Sequence, residues 1–141
     1  MIMSFASYNL WQPWQKTSPL LAELFTDYEP GIHISQVQMQ SGVTGINLPR
    51  IYSVTKQSMD QDPNANWIKC LIPELNKHDP KEIHDANLNG FYLPKIVDLK
   101  ASAKFARDQV WSIRKNKAFK DEAKLVYLKH GSRRKRNIKT N

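Results

Sequence analysis

Apolar positions along the chain recur mostly at helical spacing. Ile2, Phe5, Ala6 and Leu10 predict a helix over residues 2–12, which Pro13 interrupts. Ser18-Pro19 reads as an N-cap followed by a proline at the first helical position, where no N–H is needed. Leu20, Leu21, Leu24 and Phe25 then form an apolar stripe up to Asp27, and Glu29-Pro30-Gly31 breaks it. Residues 32–40 are ambiguous: Ile32 and Ile34, then Val37 and Met39, alternate, which taken alone favours a strand. Residues 42–66, rich in Gly, Asn, Pro, Asp and Ser, read as a long irregular connection with a short helix near 54–60. Trp67, Ile68, Leu71 and Ile72 predict a short apolar helix ended by Pro73, and residues 76–95 read as loop.

The clearest helix spans residues 98–115. Leu99, Ala103, Ala106, Val110 and Ile113 recur at steps of four and three on one face, and Asp98 can cap its start. A second helix is expected over 117–130, with Phe119, Ala123 and Val126 on one side and Gly131 at the position that ends it. There is no internal repeat. From the residues alone the fold class is all-α, an irregular multi-helix array with long loops.

Composition narrows the function classes. A chain of 141 residues allows one domain, and 40% hydrophobic with 24% charged residues argues for a folded chain. Cys70, the one cysteine, excludes a disulfide framework and a four-cysteine metal site. No run approaches the ~20 apolar residues of a membrane span, and the N-terminus lacks the basic start and cleavage site of a signal peptide. The expectation is a cytoplasmic protein without a membrane partner. The net charge of +8 is uneven: residues 1–94 carry −3 and residues 95–141 carry +11. Arg133, Arg134, Lys135, Arg136 and Lys139 form a basic tail over 131–141. Such a run is commonly a solvated tail, and its functional reading is an electrostatic handle for nucleic acid.

Familiar catalytic signatures are absent from the sequence: there is no Walker A loop, GxGxxG, HExxH or GxSxG. The histidines His33, His78, His84 and His130 do not fall at metal-ligand spacings, so no metal site is expected. Asp27 and Glu29 are two carboxylates just after an apolar helix, simply explained as a helix-end charge pair. Trp11 and Trp14, three apart, could share a helix face, with core packing as the plain explanation.

The segment from Asp27 to Leu75 carries more than these readings explain. It holds Asp27-x-Glu29 after an apolar helix, a Gln-rich stretch, Arg50-Ile51-Tyr52, an Asp62-Pro63 step and Pro73-Glu74-Leu75, in that order. Trp14 precedes Asp27 by 13 residues, and Ile83-His84-Asp85 and the segment 93–98 (LPKIVD) follow. This ordered set resembles the C-terminal part of the FAD-binding helical domain of the cryptochrome/DNA photolyase family, over nearly the whole chain.

That resemblance implies a non-covalently held FAD in an all-α domain formed by residues 1–130. It places Asp27 and Glu29 at the flavin-side acidic positions and His33 where the family usually has Asn or Asp. It places Trp14 at the middle member of a tryptophan electron-relay series, with Val37 standing in place of the flavin-proximal tryptophan, so the series as usually built is lacking. Arg50 matches an arginine that holds a phosphate of damaged DNA, and Met39 matches a tryptophan that stacks on the pyrimidine dimer. Under the resemblance residues 30–41 are helical, with Pro30 at the first position, and the alternation is overruled. The family's α/β domain and the first half of its flavin domain, with an arginine that pairs at the Asp27 position, are expected to be supplied by an upstream portion of the same protein. The expected function is a share in FAD and damaged-DNA binding for blue-light-driven repair or light sensing. The alternative is a free-standing basic helical nucleic-acid-binding module.

Overall fold

The computed structural model describes residues 1–44, 50–88, 90 and 93–131, and every regular element among them is helical. In chain order these are α1 (Ile2–Ser4), continuing as a π-helical turn (Phe5–Asn9), α2 (Trp14–Leu24), α3 (Pro30–Gln40), α4 (Val54–Gln61) and α5 (Asn66–Leu71). A 3-10 turn (Pro73–Lys77), α6 (Pro80–His84), α7 (Leu99–Lys115) and α8 (Lys117–His130) follow. The chain divides into two compact units, Met1–Arg107 and Asp108–Asn141. The basic cluster from Arg133 onward lies outside the described residues, as do residues 45–49.

In the first unit, α1, the π turn, α2 and α3 pack on one another and bury Met3, Ala6, Tyr8 and Val37. The predicted helix over 2–12 ends early. Leu10 N–H reaches the Phe5 carbonyl at 3.0 Å and Gln12 N–H the Ala6 carbonyl at 2.9 Å, so the turn widens. Trp11 then takes φ 52°, a left-handed conformation that a bulky residue seldom holds. Its ring lies edge-on to Phe105 at 5.2 Å. Trp11 and Trp14 therefore do not share a helix face.

The reading of Ser18-Pro19 as a helix start does not hold. α2 begins at Trp14, with Pro13 in extended conformation at its N-cap, and Pro19 lies inside the helix. Ser18 is buried, and its hydroxyl points to His33 instead of to the helix backbone. The strand-like alternation at 32–40 does not produce a strand: α3 forms with Pro30 at its first position and the Glu29 side chain as its cap.

Residues 42–66 contain α4, started by Ser53, whose Oγ accepts the Lys56 N–H. Residues 76–95 are not simply loop. The 3-10 turn runs to Lys77, and α6 begins with a capping box in which Asp79 accepts from the backbone and Glu82 reaches back to the Asp79 N–H. Together these elements enclose a small core of Ala65, Leu75 and Ile83, with Ile68, Ile72 and Leu88 against it. Ala65, fully buried, holds φ 54° at the N-cap of α5. The Asp62 carboxylate compensates by accepting the N–H groups of Asn66 (2.8 Å) and Ile68 (3.0 Å).

α7 follows its predicted bounds. Asp98 accepts the N–H groups of Lys100 and Ala101, each at 2.8 Å, and these bonds hold its carboxyl below the ordinary value, with Lys100 and Lys95 adding to the effect. Asn9 ties the N-terminal helix to α7 by donating to Ser102 Oγ at 2.9 Å, and Ala106 is fully buried. In the second unit, α8 starts at Asn116, whose side chain accepts the Ala118 N–H at 3.0 Å. Phe119 and Val126, on one side of this helix, are exposed. Gly131 ends α8 in extended conformation, φ −69°, not the left-handed one. A Cβ there would collide with the Tyr127 carbonyl and ring, which is why glycine suits the position.

Candidate functional site

The acidic hairpin is built by α2, the turn at 25–29 and α3. Two hydrogen bonds join its arms: His33 Nε2 lies 3.1 Å from Ser18 Oγ and 3.2 Å from the Ser18 carbonyl oxygen. A carbonyl only accepts, so this geometry puts the hydrogen of neutral His33 on Nε2. Phe25 (5.7 Å) and Tyr28 (5.1 Å) meet the imidazole edge-on from the turn. His33 is thus buried between two aromatic rings and a serine.

This packing turns the acidic residues outward. Asp27 and Glu29 are both exposed. One oxygen of Glu29 accepts the Ile32 N–H at 2.7 Å, where the start of α3 favours negative charge. Glu29 therefore serves as a helix cap, whereas Asp27 is in no ion pair among the described residues. Around them Leu20, Leu24, Phe25, Tyr28 and Ile32 expose apolar surface; Leu24 is 76% exposed. A patch of this kind beside the outward Asp27 carboxylate is a candidate binding surface.

The neighbouring π turn supplies further unused polar groups. Among the described residues, Ser7 Oγ, Tyr8 OH, Asn9 Oδ1 and Thr44 Oγ1 are buried with no hydrogen-bond partner. Burial pushes the Tyr8 phenol up, and the nearby backbone of Arg50 offsets part of that. Buried polar atoms without partners are rare in folded proteins.

The other residues singled out from sequence take separate places. Trp14 is half-buried at the start of α2, Val37 is buried, and Met39 is half-buried near the end of α3. Arg50 is exposed. Its backbone is pinned: the Ser4 hydroxyl donates to the Arg50 carbonyl at 3.0 Å and accepts the Tyr52 N–H at 3.4 Å. No group of three or more metal-ligating side chains occurs among the described residues. None of their helices is long and apolar enough to cross a membrane.

A second polar centre escaped the sequence reading. His84 is buried, with Nδ1 2.7 Å from Ser58 Oγ and Nε2 3.3 Å from the Pro63 carbonyl. The carbonyl again fixes the hydrogen on Nε2, so Nδ1 accepts from the serine. No local spacing could have announced a bond between residues 26 apart. The Asp62-Pro63 step, Leu75 of the Pro-Glu-Leu run, Ile83 and His84 thus meet around one small core.

The chain matches the model of the FAD binding domain of DNA photolyase over residues 1–112. It belongs to that family. No curated protein and no solved structure matches it. FAD is the cofactor that membership brings. Two features of the described residues are compatible with such a group: the exposed apolar shelf and the outward Asp27 carboxylate, able to accept N–H and O–H donors.

Proposed function

We propose that this chain forms the acidic wall of a flavin site in a photolyase-type protein that acts on DNA carrying pyrimidine dimers. The observation that carries the reading is the α2–α3 hairpin. His33 and Ser18 close it from inside while Asp27 stays free at its tip beside exposed Leu24, Phe25 and Tyr28. Asp27 would accept hydrogen bonds from the flavin, and Glu29, already capping α3, would keep the turn in place. When bound, FAD supplies light-driven electron transfer in this family, and the protein's share is binding and orientation. His33 would act at the flavin side through its unbonded Nδ1, and half-buried Trp14 would hold the middle place of the family's tryptophan series, whose flavin-proximal place is taken by Val37. Arg50 would hold a phosphate of the damaged strand by the paired N–H geometry of its guanidinium, and Met39 would lie against the lesion through its polarizable thioether.

The apolar shelf and the lone carboxylate require a covering portion. The test is to mix the full chain with FAD and the preceding portion of a photolyase flavin domain, then follow flavin absorbance through gel filtration. Retained absorbance that falls on Asp27→Ala is the expected result. A mixture that never holds flavin overturns the reading. For the DNA arm, a dimer-containing duplex should bind more tightly than its undamaged twin. Arg50→Ala should cost about tenfold, in the range of one bidentate phosphate contact.

A further inference from the structure

The division into units redistributes the charge. Met1–Arg107 contains ten Lys+Arg and ten Asp+Glu, so it is neutral. Asp108–Asn141 contains eleven against three, and carries the whole +8 of the protein. The family match ends at residue 112, so nearly all of this basic unit lies beyond it.

Within the unit, α8 organises the charge. Lys117, Lys120 and Lys124 stand at i, i+3 and i+7, and Tyr127 follows at i+10, so the four share one face over about 15 Å of helix. All four are exposed, Tyr127 at 65%, and none of the lysines is in an ion pair among the described residues. Arg114 lies over the Phe119 ring at 5.6 Å, which fixes the start of α8 against the end of α7. Phe119 and Val126, seven apart, share another side of the helix and are also exposed, as are Leu125 and Leu128, three apart.

We propose that the Lys117–Lys120–Lys124 face of α8, with Tyr127 at its end, is a docking surface for the phosphate backbone of undamaged duplex DNA. The complementarity is one of charge: a row of ammonium groups on the protein's one basic unit meets a polyanion. Backbone contacts position a protein without reading sequence, so this surface would hold the protein on DNA independently of any lesion. It goes beyond the flavin reading and does not depend on it.

The test uses the full chain without flavin and measures its binding to an undamaged duplex by fluorescence anisotropy over a salt series. Lys117→Gln/Lys120→Gln/Lys124→Gln replaces exposed side chains only, and circular dichroism checks that helix content is kept. The expected result is salt-sensitive binding whose log–log slope becomes shallower by about 2.7 in the triple variant, at about 0.9 per lost phosphate contact. An unchanged slope in the triple variant overturns the proposal. So does the absence of duplex binding, including the case in which the chain binds only vesicles containing anionic lipid. Loss of flavin retention with duplex binding intact would overturn the flavin reading alone.

Discussion

His33 on α3 holds Ser18 on α2 through both its hydroxyl and its carbonyl oxygen, at 3.1 and 3.2 Å from one ring nitrogen. The pair sits fifteen residues apart and closes the hairpin on which the acidic turn rides. Ser18→Ala removes the hydroxyl but leaves the carbonyl for Nε2–H, so it should cost only about 1 kcal/mol. His33→Ala also removes the contacts with Phe25 and Tyr28, and should cost about 2–4 kcal/mol. Urea unfolding of the full chain checks both. A His33→Ala variant no less stable than Ser18→Ala would contradict the clamp.

Ser58 and His84 make the second such tie, between α4 and α6. Ser58→Ala strands the buried Nδ1 of His84 without a donor, at a cost of about 1–3 kcal/mol. Amide exchange should show faster opening in α4 and α6, while α2 and α3 keep their protection. Equal loosening of both regions would mean that the tie is not local.

Asp98 carries a pH dependence of known sign. Its carboxyl titrates below the ordinary value because it accepts two N–H bonds at the start of α7. A depressed folded-state pKa stabilises the helix above the ordinary carboxylate range and loses that effect as pH falls through the folded value. Helicity should therefore decline at acidic pH in the native chain, and Asp98→Ala should flatten the part due to α7. Residue-level NMR of the first turn separates this from other carboxylates.

Ala65 is fully buried at φ 54°. Ala65→Val adds β-branching in a left-handed conformation and extra volume against Leu75 and Ile83, so it should cost more than about 2 kcal/mol. Ala65→Gly relaxes the backbone but removes a buried methyl, two effects of about 1 kcal/mol each, and should be nearly neutral. Thermal unfolding of the pair checks the prediction. A valine variant as stable as the glycine variant would contradict it.

The sequence by itself determined the helical class and the bounds of α7, which follow from local chemistry: a 3.6-residue period and Asp98 over the first N–H groups. The start of α3 at Pro30 was legible only through the family resemblance, because the local alternation favours a strand. The ordered motifs of the sequence also announced the family. Tertiary structure decided what local patterns left open. Ser18 looks like a helix cap until His33 arrives to take its hydroxyl, and Pro19 is then carried inside α2. Residues 76–84 look like loop until Leu75 and Ile83 find Ala65. The charge was countable along the chain, but only the division at Arg107 and Asp108 shows one unit neutral and the other carrying all of it. Hydrogen bonds between residues 15 and 26 apart depend on where the backbone returns, and no local window of sequence contains that information.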